Sequence, residues 1–225
     1  KPMVVMVNAG RPLVLEWAAE NVPAILCTWW LGSEAGNAIA DVLLGVHNPS
    51  ARLPISFPRN EGQIPVHYSH LNTGRPADTD TGTGFVSHYL DVPTSPRWAF
   101  GHGLSYTQFD HASLALDKPT LAGKGQVTVS IDVSNTGAVA GDEVVQLYLR
   151  QRVASVVQPV KVLKDFRRVH LAPGERQTVR FAIDRGMLSF VNPRLQRVTE
   201  PGEIDVMVGA SSADIRQRTS FTLLD

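Results

Sequence analysis

The stretch SEAGNAIADVLLGVHNPSARLPISFP (residues 33–58) decides how the first part of this chain folds. Its apolar residues recur between Ile39 and Leu43 with the three- and four-residue spacing of a helix that has one apolar face. Ser33 stands where an N-cap residue is expected, and Gly45 stands where glycines commonly end helices. The pattern therefore predicts one helix, followed by an extended segment punctuated by prolines.

Two apolar runs before this helix predict strands. The runs are Val4–Asn8 and Ala24–Trp30, and a short helix is predicted between them over Val14–Asn21. Continuous apolar runs are typical of strands buried on both faces, and the order strand, helix, strand, helix indicates an α/β layer with a parallel sheet. Two strands cannot form such a sheet alone. The rest of the sheet is therefore expected from a preceding part of a longer protein or from a partner.

Residues 59–108 are irregular in pattern, rich in Gly, Pro, Thr, Asp, His and Tyr. A loop this long is uncommon inside a compact domain and is more often functional or interfacial. Within it, Thr79–Gly84 is expected to be mobile. The segment closes with FGHGLSYTQF (residues 100–109), where the glycines permit tight backbone and the aromatic side chains are expected to pack.

From about residue 110 the apolar pattern changes to an alternation with period two. Turn signals such as Asn135-Thr-Gly137 separate short runs, and the third run is expected to be bent or bulged. About seven short strands divided by turns are typical of an antiparallel β-sandwich. The runs are 126–133, 143–149, 160–171, 177–183, 203–208 and 220–224.

The amino-acid composition disfavours several classes of partner and excludes an internal disulfide. The 225 residues carry 21 Lys and Arg against 21 Asp and Glu, so the formal net charge is zero and no nucleic-acid partner is expected. No apolar stretch reaches the length of a membrane span, so no membrane partner is expected. The single cysteine, Cys27, excludes a disulfide within the chain and is expected to be a buried, inert thiol.

Several ordered motifs resemble glycoside hydrolase family 3, the group of β-glucosidases and β-xylosidases, and its bacterial periplasmic β-glucosidase branch in particular. The resemblance covers nearly the whole chain. The motifs are NAGRP (8–12), GSEAGNAIADVLLG (32–45), NPSARLP (48–54), FP (57–58), QIP (63–65), HLNTGRP (70–76), FGHGLSYTQF (100–109), VSNTG (133–137), GDEVVQLY (141–148), PVKVLKDF (159–166) and LAPG (171–174).

The resemblance implies an architecture of three domains. A barrel carries the nucleophilic Asp, an α/β sandwich carries the acid/base Glu, and a fibronectin type III-like domain follows. This chain would correspond to the C-terminal part of the α/β sandwich (1–109) and to the fibronectin type III-like domain (110–225). Both catalytic carboxyl groups are then expected upstream, which leaves no catalytic residue in this chain.

The resemblance also implies an activity for the parent protein. It would be a retaining β-glucosidase that releases terminal non-reducing β-D-glucosyl residues from oligosaccharides or aryl glucosides, without a cofactor. A periplasmic or secreted location follows from the same resemblance. The alternative is a non-catalytic module that binds carbohydrate or scaffolds a partner. Residues 110–225 contain no Trp and only Tyr148, which disfavours a row of exposed aromatic rings.

The long loop holds the candidate binding residues. Asn72, Arg75 and Tyr89 could bind sugar, because hydroxyl groups need polar partners and a sugar face needs an aromatic ring; they could instead have structural roles, or the loop could contact a second subunit. Glu34, at a helix start, could support the parent's sugar pocket or serve only the helix terminus. Asp41 is expected to be a surface or interdomain carboxylate.

Two other groups of residues are further candidates for sites. Trp29 and Trp30 are expected to pack in the core or between domains, with sugar stacking as the alternative. The loop histidines show neither a Cys partner nor an HExxH spacing, so loop hydrogen bonding is expected and no metal site is predicted. These histidines are His67, His70, His88 and His102.

Overall fold

A computed structural model describes residues 1–76 and 84–225. In this described part of the chain, two helices and twelve strands follow one another in order, with short 3-10 helices at Glu61–Gln63 and Gly186–Leu188. The helices are α1 (Glu16–Asn21) and α2 (Ala35–Leu43). The strands are β1 (Val4–Val7), β2 (Ala24–Cys27), β3 (Phe109–Leu116), β4 (Thr120–Leu121), β5 (Gln126–Asn135), β6 (Gly141–Gln151), β7 (Val162–Leu171), β8 (Arg176–Asp184), β9 (Phe190–Val191), β10 (Arg197–Val198), β11 (Gly202–Gly209) and β12 (Ile215–Leu223).

The N-terminal part is a thin α/β layer. Strands β1 and β2 pair in parallel, with Val4 opposite Ala24 and Val7 opposite Cys27. Neither α1 nor α2 contains a buried residue, although α2 has the apolar stripe that the sequence predicts. Large apolar side chains such as Trp17, Leu44 and Val46 are exposed. Within the described residues, the layer therefore leaves apolar surface uncovered.

The C-terminal part is a β-sandwich of two sheets, in which all strand pairs are antiparallel except the short parallel pair of β4 with β12. One sheet has five strands in the order β4-β12-β11-β6-β7, and the other has three in the order β3-β5-β8. The alternating burial along β5 places every second side chain between the sheets, as period-two strands require. The core between the sheets includes Val129, Ile131, Val145, Leu147, Phe181, Ile183, Ile204 and Val206.

Strand β7 carries the irregularity that the sequence predicts. Its pairing with β6 shifts register between Leu147, opposite Asp165, and Tyr148, opposite Leu163, so Lys164 is the extra residue of a β-bulge. A bulge leaves one residue unpaired and turns its side chain away from the regular alternation. The prediction of a bent or bulged strand here is confirmed.

Residues 59–108 contain little regular structure, apart from the 3-10 helix at Glu61–Gln63 and isolated bridges. Leu71 pairs with Pro159 in an isolated antiparallel bridge, and the amide of Val160 donates to the carbonyl of His70 (3.0 Å). The segment thus follows the five-stranded sheet beside the start of β7. Most of the predicted mobile stretch, residues 79–83, lies outside the described residues.

Several element boundaries differ from the sequence predictions. The N-cap of α2 is Glu34 rather than Ser33, and no side-chain hydrogen bond caps it. Strand β2 ends at Cys27 rather than Trp30, because Trp29 adopts φ 52°, a left-handed conformation that an extended strand does not accommodate. Helix α1 begins at Glu16 rather than Val14. The end of α2 agrees with the prediction, because Gly45 adopts φ 75° just beyond the last turn.

Candidate functional site

Asn48 joins the α/β layer to the sandwich. Its side-chain amide donates to the carbonyl of Ala140 (3.0 Å), and its side-chain oxygen accepts from the Ser105 hydroxyl (3.0 Å) and the Tyr106 amide (2.8 Å). Both the amide nitrogen and the oxygen of this one side chain thus hold separate segments together. The turn after α2 is consequently fixed against the start of β6.

A buried ionic group lies a few residues further on. Arg52 Nη2 is 2.8 Å from Glu143 Oε2, and His111 Nε2 is 3.2 Å from Glu143 Oε1. The three side chains are only 9%, 3% and 1% exposed, respectively. Buried charges are tolerated when they are paired and hydrogen-bonded, and Arg52 also donates to the carbonyl of Ser50 (3.1 Å). The group fixes the proline-rich segment to both sheets of the sandwich.

Sequence reasoning missed this group. Arg52 and Glu143 are 91 positions apart, and neither lies in a pattern that indicates a partner. The one available signal is the inward alternation of β6, which puts Glu143 at a position where an apolar residue is expected. An acidic residue at such a position predicts a buried partner without identifying it.

Aromatic rings seat the irregular segment on the sheet. The rings of Tyr68 and Phe100 stack with centroids 4.2 Å apart, and the Tyr68 ring meets the buried Tyr148 ring edge-on at 5.9 Å. The Gln146 amide donates to the carbonyls of Gly101 (3.1 Å) and Ala210 (2.6 Å). Phe100 of the closing motif packs in this cluster, as predicted, whereas Tyr106 of the same motif is 49% exposed.

Arg75 and Tyr89 lie on the two arms of the loop. The amide of Ser87 donates to the carbonyl of Arg75 (2.8 Å), and Pro76 and Ser87 form an isolated bridge. Both candidate side chains are exposed, and Arg75 forms no ion pair within residues 1–76 and 84–225. The structure therefore brings these two positions to neighbouring arms of one exposed loop.

Asn72 and Glu34 have different surroundings. Asn72 is exposed and lines a cavity of about 220 Å³ together with the loop that follows β6. Glu34 lies at the start of α2, where its carboxylate accepts from the Asn37 amide (2.7 Å). In the described part of the chain, no hydrogen bond or ion pair joins Glu34 to Asn72, Arg75 or Tyr89.

A second ionic cluster, also missed from sequence, lies under the N-terminal layer. Glu16 Oε1 is 3.2 Å from Arg59 Nη1 and 3.4 Å from Arg97 Nη1. The Arg97 guanidinium lies 5.9 Å from the centre of the Trp98 ring. Two arginines on one carboxylate tie the start of α1 to the first residue of the irregular segment and to a later part of it.

The two neighbouring tryptophans have separate environments. The Trp29 ring lies 6.0 Å from Phe57, which in turn meets Trp98 at 5.9 Å. The Trp30 side chain is 75% exposed and lies over Gly10, where an added Cβ would come 2.4 Å from the indole nitrogen. Trp29 therefore has a packing role, as expected, whereas Trp30 presents most of its ring to solvent.

Burial shifts the pKa values of two titratable groups, His102 and Cys27. Burial lowers the pKa of His102, the Arg52 charge lowers it further, and Asp214 opposes both effects. Burial raises the pKa of Cys27, although this thiol is only partly buried, which corrects the expectation of a buried cysteine. Among residues 1–76 and 84–225, no three His, Cys, Asp or Glu side chains converge as a metal site would require.

These contacts indicate what the site can do chemically. Glycoside hydrolysis with retention needs two free carboxyl groups about 5 Å apart. The carboxylates of Glu143, Glu16 and Glu34 are already bound by Arg52 and His111, by two arginines and by Asn37, respectively. The Glu143 and Glu16 carboxylates hold separate segments together, whereas Glu34 is bound within the first turn of its own helix.

The fold belongs to a recognisable class, in which a C-terminal α/β layer is joined to a fibronectin type III-like sandwich. The family described as "Glycosyl hydrolase family 3 C-terminal domain" matches residues 1–106, and the "Fibronectin type III-like domain" matches residues 143–212. The chain belongs to glycoside hydrolase family 3 and corresponds to the C-terminal part of its members. The predicted fold class is confirmed.

Relatives with a described activity support the same assignment. The chain is 49% identical over 224 residues to a periplasmic beta-glucosidase of Salmonella typhimurium and 44% identical to a beta-xylosidase of Formosa agariphila. These alignments cover 100% and 99% of this chain but only 29% and 30% of the relatives. The chain thus spans less than a third of the length of these relatives.

Solved structures agree with the sequence relatives. A beta-glucosidase from Listeria innocua in complex with glucose superposes with a TM-score of 0.94 at 42% identity, covering 100% of this chain and 31% of that one. Beta-glucosidase 3B from Thermotoga neapolitana, in complex with alpha-D-glucose, has a TM-score of 0.80 at 32% identity and covers 99% and 31%. No helix in the described residues is long and apolar enough to cross a membrane.

Proposed function

We propose that this chain works as the C-terminal part of a retaining β-glucosidase that releases terminal non-reducing β-D-glucosyl residues from oligosaccharides or aryl glucosides. The observation that carries the proposal is the 49% identity to a periplasmic beta-glucosidase over 100% of the chain. The similarity to a structure holding glucose supports the same sugar. A beta-xylosidase at 44% identity makes a terminal β-xylosyl residue the second candidate.

In this proposal the two catalytic carboxyl groups lie in the part of the relatives that the chain does not cover. The chain by itself is then inactive. Residues 1–109 would belong to the α/β domain, where they complete the sheet begun upstream. Residues 110–225 would form the fibronectin type III-like domain, which packs against the α/β domain and supports it. The contacts of Glu16, Glu34 and Glu143 support an upstream position for the catalytic pair, since each of these carboxylates is already held by an arginine or an asparagine.

The exposed loop would form part of the sugar-binding mouth. Arg75 offers a guanidinium without an ion pair in the described residues, Tyr89 offers a ring that is 38% exposed, and Asn72 offers an amide. Arg75 can donate several hydrogen bonds to hydroxyl groups, and an exposed ring can stack on the apolar face of a sugar. Glu34 would have a supporting role at the helix terminus. The same loop is the candidate contact in a homodimer.

The cellular location of the protein is inferred from a relative of described location. A periplasmic or secreted location is supported by the periplasmic beta-glucosidase of Salmonella typhimurium. The alternative of a stand-alone carbohydrate-binding module has less support, because Tyr148, the one Tyr or Trp of residues 110–225, is fully buried. A binding face on the sandwich would need exposed rings.

The experiment that tests the proposal compares two aryl glycosides. The natural polypeptide that contains this chain should hydrolyse an aryl β-glucoside with a higher kcat/KM than the matching aryl β-xyloside. The substitution Arg75→Ala should raise KM more than it lowers kcat, with the exposed Arg194→Ala as the matched control. A higher kcat/KM for the xyloside would support the second candidate, and equal inactivity on both would overturn the proposal.

A further inference from the structure

The connection between β6 and β7, residues 152–161, lies against the long loop that holds the candidate sugar-binding residues. Leu71 of that loop pairs with Pro159 of the connection in an isolated bridge. The amide of Val160 also donates to the carbonyl of His70 (3.0 Å), so two backbone contacts hold the segments together. The sandwich therefore places one of its own segments directly beside the loop.

The loop and the connection share a cavity of about 220 Å³. Its lining comprises Asn72 from the loop and, from the end of β6 and the connection, residues 150–154 and 156–158. Three of the lining residues, Val153, Val156 and Val157, give the connection an apolar part at this cavity. An apolar cavity of about 150 Å³ can hold a benzene molecule, so this cavity has room for an aromatic ring.

Two of these valines present apolar side chains that the described residues leave uncovered. Val153 is 77% exposed and Val157 is 61% exposed. Apolar surface gains free energy when a ligand removes it from water, and neighbouring exposed apolar groups commonly mark a binding surface. The pair therefore favours a ligand that carries an apolar group.

The connection is held in place by the neighbouring strands and loops of the sandwich. The Ser155 amide (2.7 Å) and the Ser155 hydroxyl donate to the Glu200 carboxylate, and the Arg152 amide donates to the carbonyl of Glu203 (3.1 Å). The Arg152 guanidinium is paired with the carboxylates of Glu203 (2.6 Å) and Asp205 (2.7 Å). A segment that is already ordered loses less conformational freedom when a ligand binds to it.

We propose that Val153 and Val157 form an aglycone subsite, which makes the parent enzyme favour β-glucosides whose leaving group is an aromatic alcohol. This inference rests on the proposed function, because it takes the loop of Asn72 as part of the sugar-binding mouth. The aromatic ring of the leaving group lies against the two valines, and the Asn72 amide can hydrogen-bond the hydroxyl groups of the substrate. The valines select the substrate and take no part in the chemical step.

The test uses the natural polypeptide that contains this chain, with phenyl β-D-glucoside and cellobiose as substrates that share the glucosyl group. The double substitution Val153→Ser with Val157→Ser should lower kcat/KM for the phenyl glucoside about tenfold and change that for cellobiose less than twofold. The intrinsic reactivity of each leaving group is the same in variant and wild type, so it cancels in this comparison. Val139→Ser is the matched control, since Val139 is an exposed valine just before the opposite end of β6, and it should change neither value.

Thermal unfolding shows whether the double variant folds; if it does not, the single substitution Val157→Ser takes its place with an expected threefold loss. Equal losses on both substrates, or no loss on either, would overturn the subsite and leave the proposed function in place. A larger loss on cellobiose than on the phenyl glucoside would overturn it as well. A wild-type protein that hydrolyses neither substrate would overturn the proposed function, and the subsite with it.

Discussion

Arg52 and Glu143 form a buried ion pair of 2.8 Å across the junction between the N-terminal layer and the sandwich. Replacing Glu143 with Gln should lower the free energy of unfolding by about 3 kcal/mol, because it leaves the Arg52 charge buried without a counterion. Denaturant titration followed by tryptophan fluorescence and circular dichroism measures the change. The exposed Glu61→Gln is the matched control and should change stability by less than about 0.5 kcal/mol.

The pairing itself is tested by a double variant. Arg52→Met combined with Glu143→Leu removes both charges and should recover part of the stability lost in Glu143→Gln, because apolar side chains of similar size replace the ion pair. If the double variant loses as much unfolding free energy as Arg52→Met and Glu143→Leu lose separately when added, or more, the view that the charges act mainly on each other is wrong.

Gly101 marks the closest approach of the irregular segment to the sandwich. It adopts φ 82°, and an added Cβ would lie 2.2 Å from Gln146 Oε1. Gly101→Ala should therefore destabilise the chain by about 2–3 kcal/mol through backbone strain and displacement of the Gln146 amide. Gly123→Ala is the control, since Gly123 adopts φ 55° with no atom within 4 Å of the added Cβ. Backbone strain alone should lower the free energy of unfolding of Gly123→Ala by about 1 kcal/mol. Equal losses in the two variants would show that the Gln146 contact is unimportant.

His102 should make the junction sensitive to acid. Burial and the Arg52 charge lower its pKa in the folded chain, whereas the unfolded value is about 6.5. A lowered folded pKa gives stability that is present above pH 6.5 and is lost as the pH falls through the folded value. The free energy of unfolding between pH 7.5 and pH 5 should therefore fall less in His102→Gln than in the wild type. An identical pH dependence in both would exclude His102 as a contributor.

The uncovered apolar surface of the N-terminal layer should cause self-association. Trp17, Trp30 and Leu44 are 70%, 75% and 79% exposed, and within the described residues each strand of the parallel pair has one unpaired edge. Light scattering at increasing concentration should show that the 225-residue chain associates. A shortened chain of residues 105–225 should stay monomeric and folded, because its core lies within the sandwich. A monomeric 225-residue chain would contradict this account of the layer.

Secondary-structure elements that are marked by neighbouring residues in the sequence were predicted correctly. The alternation of β5 and the stop of α2 at Gly45 needed no knowledge of distant residues, and both agree with the structure. Strand β3 was missed, because a register shift between Ala112 and Ala115 and the left-handed Ser113 interrupt its alternation. The start of β12 was placed five residues late, at Ser220 instead of Ile215, because charged residues hide its period.

The site was less predictable than the fold. The loop was correctly singled out as unusual, but the contacts that hold it join residues about 45 to 95 positions apart, such as Gln146 with Gly101 and Leu163 with Tyr68. Such pairs leave no periodic signal in a single sequence. The roles of Asn72, Arg75, Tyr89 and Glu34 stay predictions.

The central claim is that this chain is the C-terminal part of a β-glucosidase and holds neither catalytic carboxyl group. The most direct test is hydrolysis of an aryl β-glucoside by the purified 225-residue chain beside the natural polypeptide that contains it. We expect turnover by the longer protein and none above background by the short chain. Turnover by the short chain alone would contradict the claim, and Glu34 and Asp41 would then be the first carboxylates to replace.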